Sequence, residues 1–105
     1  MPEKRWTTYL NTDSTARMRV RFTADAGVVT AFVVQLEVLH GTRWRAAVRY
    51  DGHHGFAHCD RHRLNGDQRK DPLNLDYGDS LTYAVSDIKA RWNEYTDRFL
   101  RGDYP

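Results

Sequence analysis

The sequence has one cysteine and three lysines among its 105 residues, and no long apolar run. A lone thiol closes no internal disulfide. No positively charged start leads into an apolar stretch, so neither a secretion signal nor a membrane span is expected, and a reducing cytoplasm is the default location. Internal repeats, low-complexity tracts and a linker long enough to divide the chain are all missing. The expectation is therefore a single domain over residues 1–105, large enough for one core and too small for a catalytic domain plus a separate binding domain. Missing too is any motif whose chemistry is fixed by spacing. The shortage of lysine makes arginine the dominant cation, thirteen of the sixteen basic residues. Arginine's planar fork suits phosphate and carboxylate recognition, although an arginine-rich, lysine-poor balance also follows from a GC-rich genome. The net charge of +2 and a pI near 8.9 point only mildly to an anionic partner. Hydrophobic residues at 40% against 29% charged supply enough Val, Leu, Phe and Trp to fold.

Period-2 patterning fills the first two thirds of the chain. Arg5–Leu10 reads as a short strand, followed by the turn formers Asn11–Ser14. Ala16–Thr23 alternates strictly, with Met18, Val20 and Phe22 on one face and Arg17, Arg19 and Arg21 on the other. Val28–Leu39 sets Phe32, Val34, Leu36 and Val38 against Val33, Gln35 and Glu37, and its early part is expected to be covered on both sides. After a tight connection at His40–Thr42, Arg43–Tyr50 resumes the alternation with Trp44, Ala46, Val48 and Tyr50 inward and Arg43, Arg45 and Arg49 outward. Phe56–Leu64 forms a fifth strand, and Asn65-Gly66 turns the chain into a short strand before Pro72. From Leu81 to Phe99 the pattern changes: Leu81, Val85, Ile88, Trp92, Tyr95 and Phe99 recur at spacings of three and four, one stripe along a helix capped by Asp79 or Ser80. The sum is an α+β fold, an antiparallel β-meander of five to six strands within residues 5–72. One C-terminal amphipathic helix over about 80–101 packs on one face. The other face then presents a basic surface.

Chemistry concentrates in Tyr50–Arg63, which holds four of the five histidines, the cysteine, two aspartates and two arginines. His54, His58 and His62 lie four apart, a zinc-binding spacing on a helix. On a strand, residues i and i+4 stand roughly 13 Å apart, beyond the reach of two metal–nitrogen bonds. A metal site would have to combine Asp51, His53 and His54 of the turn with His58, or recruit His40; the expectation is no metal and no cofactor. Acid–base chemistry fits the composition better. His53, His54 and His58 are candidate proton carriers, Asp51 or Tyr50 the orienting group. Arg49, Arg61 and Arg63, with Arg19, Arg21 and Arg45 of the sheet face, are candidate phosphate contacts. On the strand Phe56, His58, Asp60 and His62 share one side and Ala57, Cys59, Arg61 and Arg63 the other, so Cys59 is a small buried residue rather than a partner of His58.

The run Phe32-Val-Val-Gln-Leu-Glu37, then Arg49-Tyr-Asp51, His54-Gly-Phe-Ala-His58, Trp92 and Arg98-Phe-Leu100 resembles a family of small uncharacterised bacterial proteins with an RYD…HGFxH signature. The order of strands, Tyr-Asp turn, His-rich strand and polar loop more distantly resembles the TumE-type toxin components of toxin–antitoxin pairs. The first resemblance transfers no activity. The second implies a toxin-like protein acting on RNA by metal-independent acid–base chemistry, with RNA and an antitoxin-like protein as partners and no membrane. The alternatives are a non-catalytic module binding protein or nucleic acid through the arginine-rich face, and a metal site in the His-rich turn.

Overall fold

The computed structural model describes residues 3–105. Six strands, β1 (Glu3–Tyr9), β2 (Ala16–Asp25), β3 (Val28–His40), β4 (Arg43–Gly52), β5 (His58–His62) and β6 (Gln68–Pro72), precede one helix, α1 (Tyr77–Leu100). Every strand pairs antiparallel with its neighbour in sequence, so the sheet order is β1-β2-β3-β4-β5-β6. Short turns permit only this kind of pairing, since parallel neighbours need a long crossover. The α+β meander with a C-terminal helix is thus the architecture the alternation predicts.

Cross-strand register decides what the helix covers. Met18, Leu36 and Val48 stand opposite one another, as do Val20, Val34, Tyr50 and Cys59, and all seven are buried. The helix lies over β2, β3 and β4. Ile88, Tyr95 and Phe99 are buried against the sheet, with Leu81, Val85 and Trp92 at the margins of the contact. Each fully buried aliphatic or aromatic side chain here contributes about 1.5–3 kcal/mol of transfer free energy. The middle of the interface is less apolar than the stripe predicts: Ser80, Ala84 and Asp87 are buried as well.

The first strand runs Glu3–Tyr9 rather than Arg5–Leu10, and three further expectations change. The helix starts at Tyr77, and its N-cap is Asp76, whose Oδ1 accepts the Asp79 backbone N–H at 2.7 Å; Asp79 lies inside the first turn. A polar first turn carries no apolar periodicity, so the stripe alone starts the helix too late. The fifth strand is shorter than Phe56–Leu64, and Phe56 is 82% exposed in the loop before it. Val28, expected in a doubly covered segment, is 66% exposed at the β2–β3 hairpin, beyond the end of the helix contact.

The largest correction comes from a β-bulge. The pairing of β3 with β4 shifts between Leu36 and Glu37: Leu36 faces Val48, Glu37 faces Ala46, and Ala47 is the extra residue. One inserted residue reverses the phase of everything before it. Val48 and Tyr50 therefore point to the core as expected. Trp44 and Ala46, expected inward, share the face of Glu37, and Arg45, expected outward, shares that of buried Val38.

Candidate functional site

The face of the sheet away from the helix carries one polar chain across four strands. Arg17 Nε donates to Glu37 Oε1 at 2.6 Å, Gln35 Nε2 to Glu37 Oε2 at 2.6 Å, Arg49 Nη1 to Gln35 Oε1 at 3.2 Å, and Arg49 Nε to Asp51 Oδ2 at 2.8 Å. His58 closes it, Nε2 lying 2.6 Å from Asp51 Oδ1. These contacts follow from register: Arg19, Gln35, Arg49 and Asp60 form one cross-strand row, and Arg21, Val33, Asp51 and His58 the next. Glu37, only 6% exposed, is held by the surrounding guanidinium groups, which is how a charge survives burial.

Two adjoining hollows lie along this face and share Arg21, Val33 and Arg49. The first, about 270 Å³, is lined among others by Arg5, Arg19, Arg21, Gln35, Glu37 and Arg49. The second, about 510 Å³, extends to Asp51, His53, His54 and His58. Arg19 lies 3.7 Å from Glu37 and Arg21 4.0 Å from Glu3, both beyond hydrogen-bond reach, so their exposed guanidinium donors are available to a ligand. At the opposite end the bulge brings Trp44 beside Tyr9, with ring centroids 6.3 Å apart, and Arg17 lies over the Trp44 ring at 3.9 Å. Tyr9 is 51% exposed.

The loop joining β4 to β5 is anchored from the helix. Gly52 lies so close to the neighbouring rings that a Cβ would stand 2.7 Å from Tyr77 and 2.9 Å from Phe32. Tyr77 Oη donates to Gly55 O at 2.6 Å, and Gly55 itself has φ +82°, which favours glycine. This pins a loop in which His53 and His54 are exposed with their rings 4.0 Å apart. His58 is committed on both sides, because Nδ1 lies 3.2 Å from the Phe56 carbonyl while Nε2 faces Asp51.

Asp51, His53, His54 and His58 thus come together beside Arg49 and Arg21, with Arg19 further along the same face. The other sequence candidates do not. Tyr50 is buried on the helix side, where its hydroxyl donates to Asp87 Oδ2 at 2.7 Å, and burial followed by that bond pushes the phenol well above its usual range. An orienting role beside Asp51 is excluded by the pleat, since adjacent residues point to opposite faces. Arg45 donates to Leu64 O, Arg61 to Pro105 O and lies over the Tyr95 ring, and Arg63 to Gly102 O. These three brace the helix side and the C-terminal residues, away from the hollows. Cys59 is 3% exposed, and burial pushes its thiol up to about 11, as a structural residue requires.

Alternation places Gln35 and Glu37 on this face, as observed, but not Tyr9 or Trp44, and it leaves two aspartates out of the candidate site. Asp60 lies on the open face in line with Arg49, 7% exposed. Asp87 accepts both Tyr50 and Tyr95, the latter at 2.8 Å, within the helix–sheet interface. The phase of β5 already put Asp60 beside His58. Asp87 immediately precedes Ile88 of the apolar stripe, and that position was its only signal.

Among the described residues no helix is long and apolar enough to cross a membrane. Residues 1–105 match the model of a family described as Domain of unknown function (DUF7718). No curated protein and no solved structure matches the chain.

Proposed function

We propose that this chain, which belongs to the DUF7718 family of domains of unknown function, is a binding module that takes single-stranded nucleic acid, RNA by preference, on its open sheet face. The observation that carries the reading is the pair of adjoining hollows lined by Arg5, Arg19, Arg21 and Arg49, on the same sheet face as Tyr9 and Trp44, which lie outside the hollows. Guanidinium donors follow a phosphate backbone, and an exposed aromatic ring stacks on an unpaired base. The face is not uniformly basic, because Glu3, Glu37 and Asp51 offset part of the arginine charge. Moderate affinity with a shallow salt dependence follows. At roughly −0.7 per neutralised phosphate, three contacts from Arg19, Arg21 and Arg49 give a slope of about −2 in log K against log salt.

The test is titration of a labelled single-stranded RNA. Arg19→Glu with Arg21→Glu should abolish binding, whereas Lys89→Glu with Arg98→Glu, both at exposed helix positions, makes the same charge change and should leave it nearly intact. Equal loss in both variants would reduce the interaction to net charge.

A second reading, RNA cleavage by a toxin-like protein, draws on the contact of His58 with Asp51 beside Arg49. The 2′-hydroxyl needs a base and the leaving oxygen an acid. With His58 committed on both ring nitrogens, the second proton carrier would be His53 or His54. This reading entails cleavage of RNA but not of the matching DNA, loss of cleavage in His58→Gln, and growth arrest on expression relieved by an antitoxin-like partner. Intact RNA after prolonged incubation leaves binding as the function.

A further inference from the structure

We propose that Asp51, His58 and Asp60 hold one divalent transition-metal ion of the zinc class, a site independent of the nucleic-acid reading. One ligand atom of each residue lies within 4.8 Å of the others. Asp51 and His58 are cross-strand partners, and Asp60 is two residues on from His58, on the same face. Around a tetrahedral zinc with bonds of about 2.0–2.1 Å, ligand atoms stand roughly 3.4 Å apart. The set therefore closes on an ion by side-chain rotation of about 1.5 Å at most.

Two further observations point to a cation. The Oδ1 of Asp60 is buried and has no hydrogen-bond partner; the nearest positive group, Lys70 Nζ, is 3.9 Å away. An orphaned carboxylate oxygen at such depth costs free energy that a bound cation recovers. The second observation is the ring of His58. Its Nδ1 faces the Phe56 carbonyl, which can only accept, so Nδ1 carries a hydrogen. With Nδ1 turned to that carbonyl, Nε2 faces Asp51 Oδ1 at 2.6 Å, and a cation held by these two atoms is also within reach of Asp60. An N–H to a backbone carbonyl is the usual way a metal-binding histidine is oriented.

One nitrogen and two carboxylate oxygens suit Zn²⁺ or Mn²⁺ better than Ca²⁺, which takes six to eight oxygens. Three protein ligands leave a position open toward the larger hollow, which Asp51 and His58 line. His54 and His62, spaced four residues on either side of His58, play no part in this site, and neither does Cys59, whose side chain is buried on the opposite face.

The experiment is calorimetric titration of the chelator-treated full chain with Zn²⁺, with Mn²⁺ and Mg²⁺ in parallel, together with thermal melts. The expected result is one Zn²⁺ per chain and a raised melting temperature. Asp60→Asn and His58→Gln should each weaken binding by more than about tenfold, while the double variant His53→Gln, His54→Gln binds as the wild type does. Asp60→Asn is nearly isosteric, and its far-ultraviolet dichroism checks the fold. The proposal is overturned if the wild type takes up no stoichiometric Zn²⁺, if Asp60→Asn binds as tightly as wild type, or if the double variant loses the site.

Discussion

Replacing Asp87 by alanine should cost the fold more than any substitution on the open face. Asp87 is 8% exposed and accepts the hydroxyls of Tyr50 and Tyr95 on one oxygen, at 2.7 and 2.8 Å, joining strand β4 to the helix. Asp87→Ala leaves two buried phenol donors without an acceptor, at about 1–3 kcal/mol each. The expected loss is about 3 kcal/mol or more, a large fraction of the roughly 5–15 kcal/mol that a domain of this size has. Asp87→Asn keeps an acceptor and loses only the charge-assisted part, about 1–2 kcal/mol. Tyr50→Phe orphans no donor and should cost about 1 kcal/mol. Urea unfolding followed by tryptophan fluorescence resolves this order. With a slope of about 1–2 kcal/mol per molar, Asp87→Ala should lower the midpoint by about 1.5–3 M. An Asp87→Ala midpoint within the range of Tyr50→Phe would show that Asp87 does not hold strand and helix together, and Tyr50→Phe abolishing RNA binding while the fold survives would show a role for Tyr50 beyond this interface.

Alkaline pH should weaken the fold through the same interface. The Cys59 thiol moves from an ordinary value near 9 to about 11 on folding, and burial also raises Tyr50 and Tyr95. The unfolded chain therefore releases these protons first. The contribution is complete below about pH 9 and is lost on the way to pH 11, about 2–3 kcal/mol for the thiol alone. Melts across that range should be flatter for Cys59→Ala, and identical slopes would contradict the assignment. Gly52→Ala places a Cβ against the Tyr77 and Phe32 rings and should cost about 1–3 kcal/mol by thermal melt; an unchanged melt would show that the loop is not pinned there. Tyr9→Ala, at an exposed position, should leave stability unchanged and weaken single-stranded RNA binding by about one stacked base, 1–3 kcal/mol; unchanged affinity in the titration would remove Tyr9 from the interface.

Alternation carried most of the architecture. Arg17, Arg19 and Arg21 face away from Met18, Val20 and Phe22 because the pleat leaves no choice, and β5 keeps the expected phase, with Cys59 inward and His58 outward. What periodicity could not show was the bulge at Ala47. An inserted residue is silent when the residues around it are Ala46, Ala47 and Val48, all compatible with either face. That silence exchanged Trp44 for Arg45 and concealed the aromatic end of the open face. Long-range pairing was equally invisible: nothing local says that Asp51 meets His58, or that Asp87 meets Tyr50 across thirty-seven residues of chain. Composition makes Arg61 and Arg63 candidate phosphate contacts, but they donate to the carbonyls of Pro105 and Gly102 respectively, which only the folded chain brings near.

The most direct test of the open face as the nucleic-acid interface is a heteronuclear NMR titration of the labelled chain with a short single-stranded RNA. It follows the arginine Nε–H signals, the tryptophan indole signals and the backbone. Shifts are expected for Arg19, Arg21, Arg49, Tyr9 and Trp44, with Lys89, Arg98 and the outer helix face unmoved. Shifts confined to the helix, or to Arg61, Arg63 and the C-terminal residues, would contradict it.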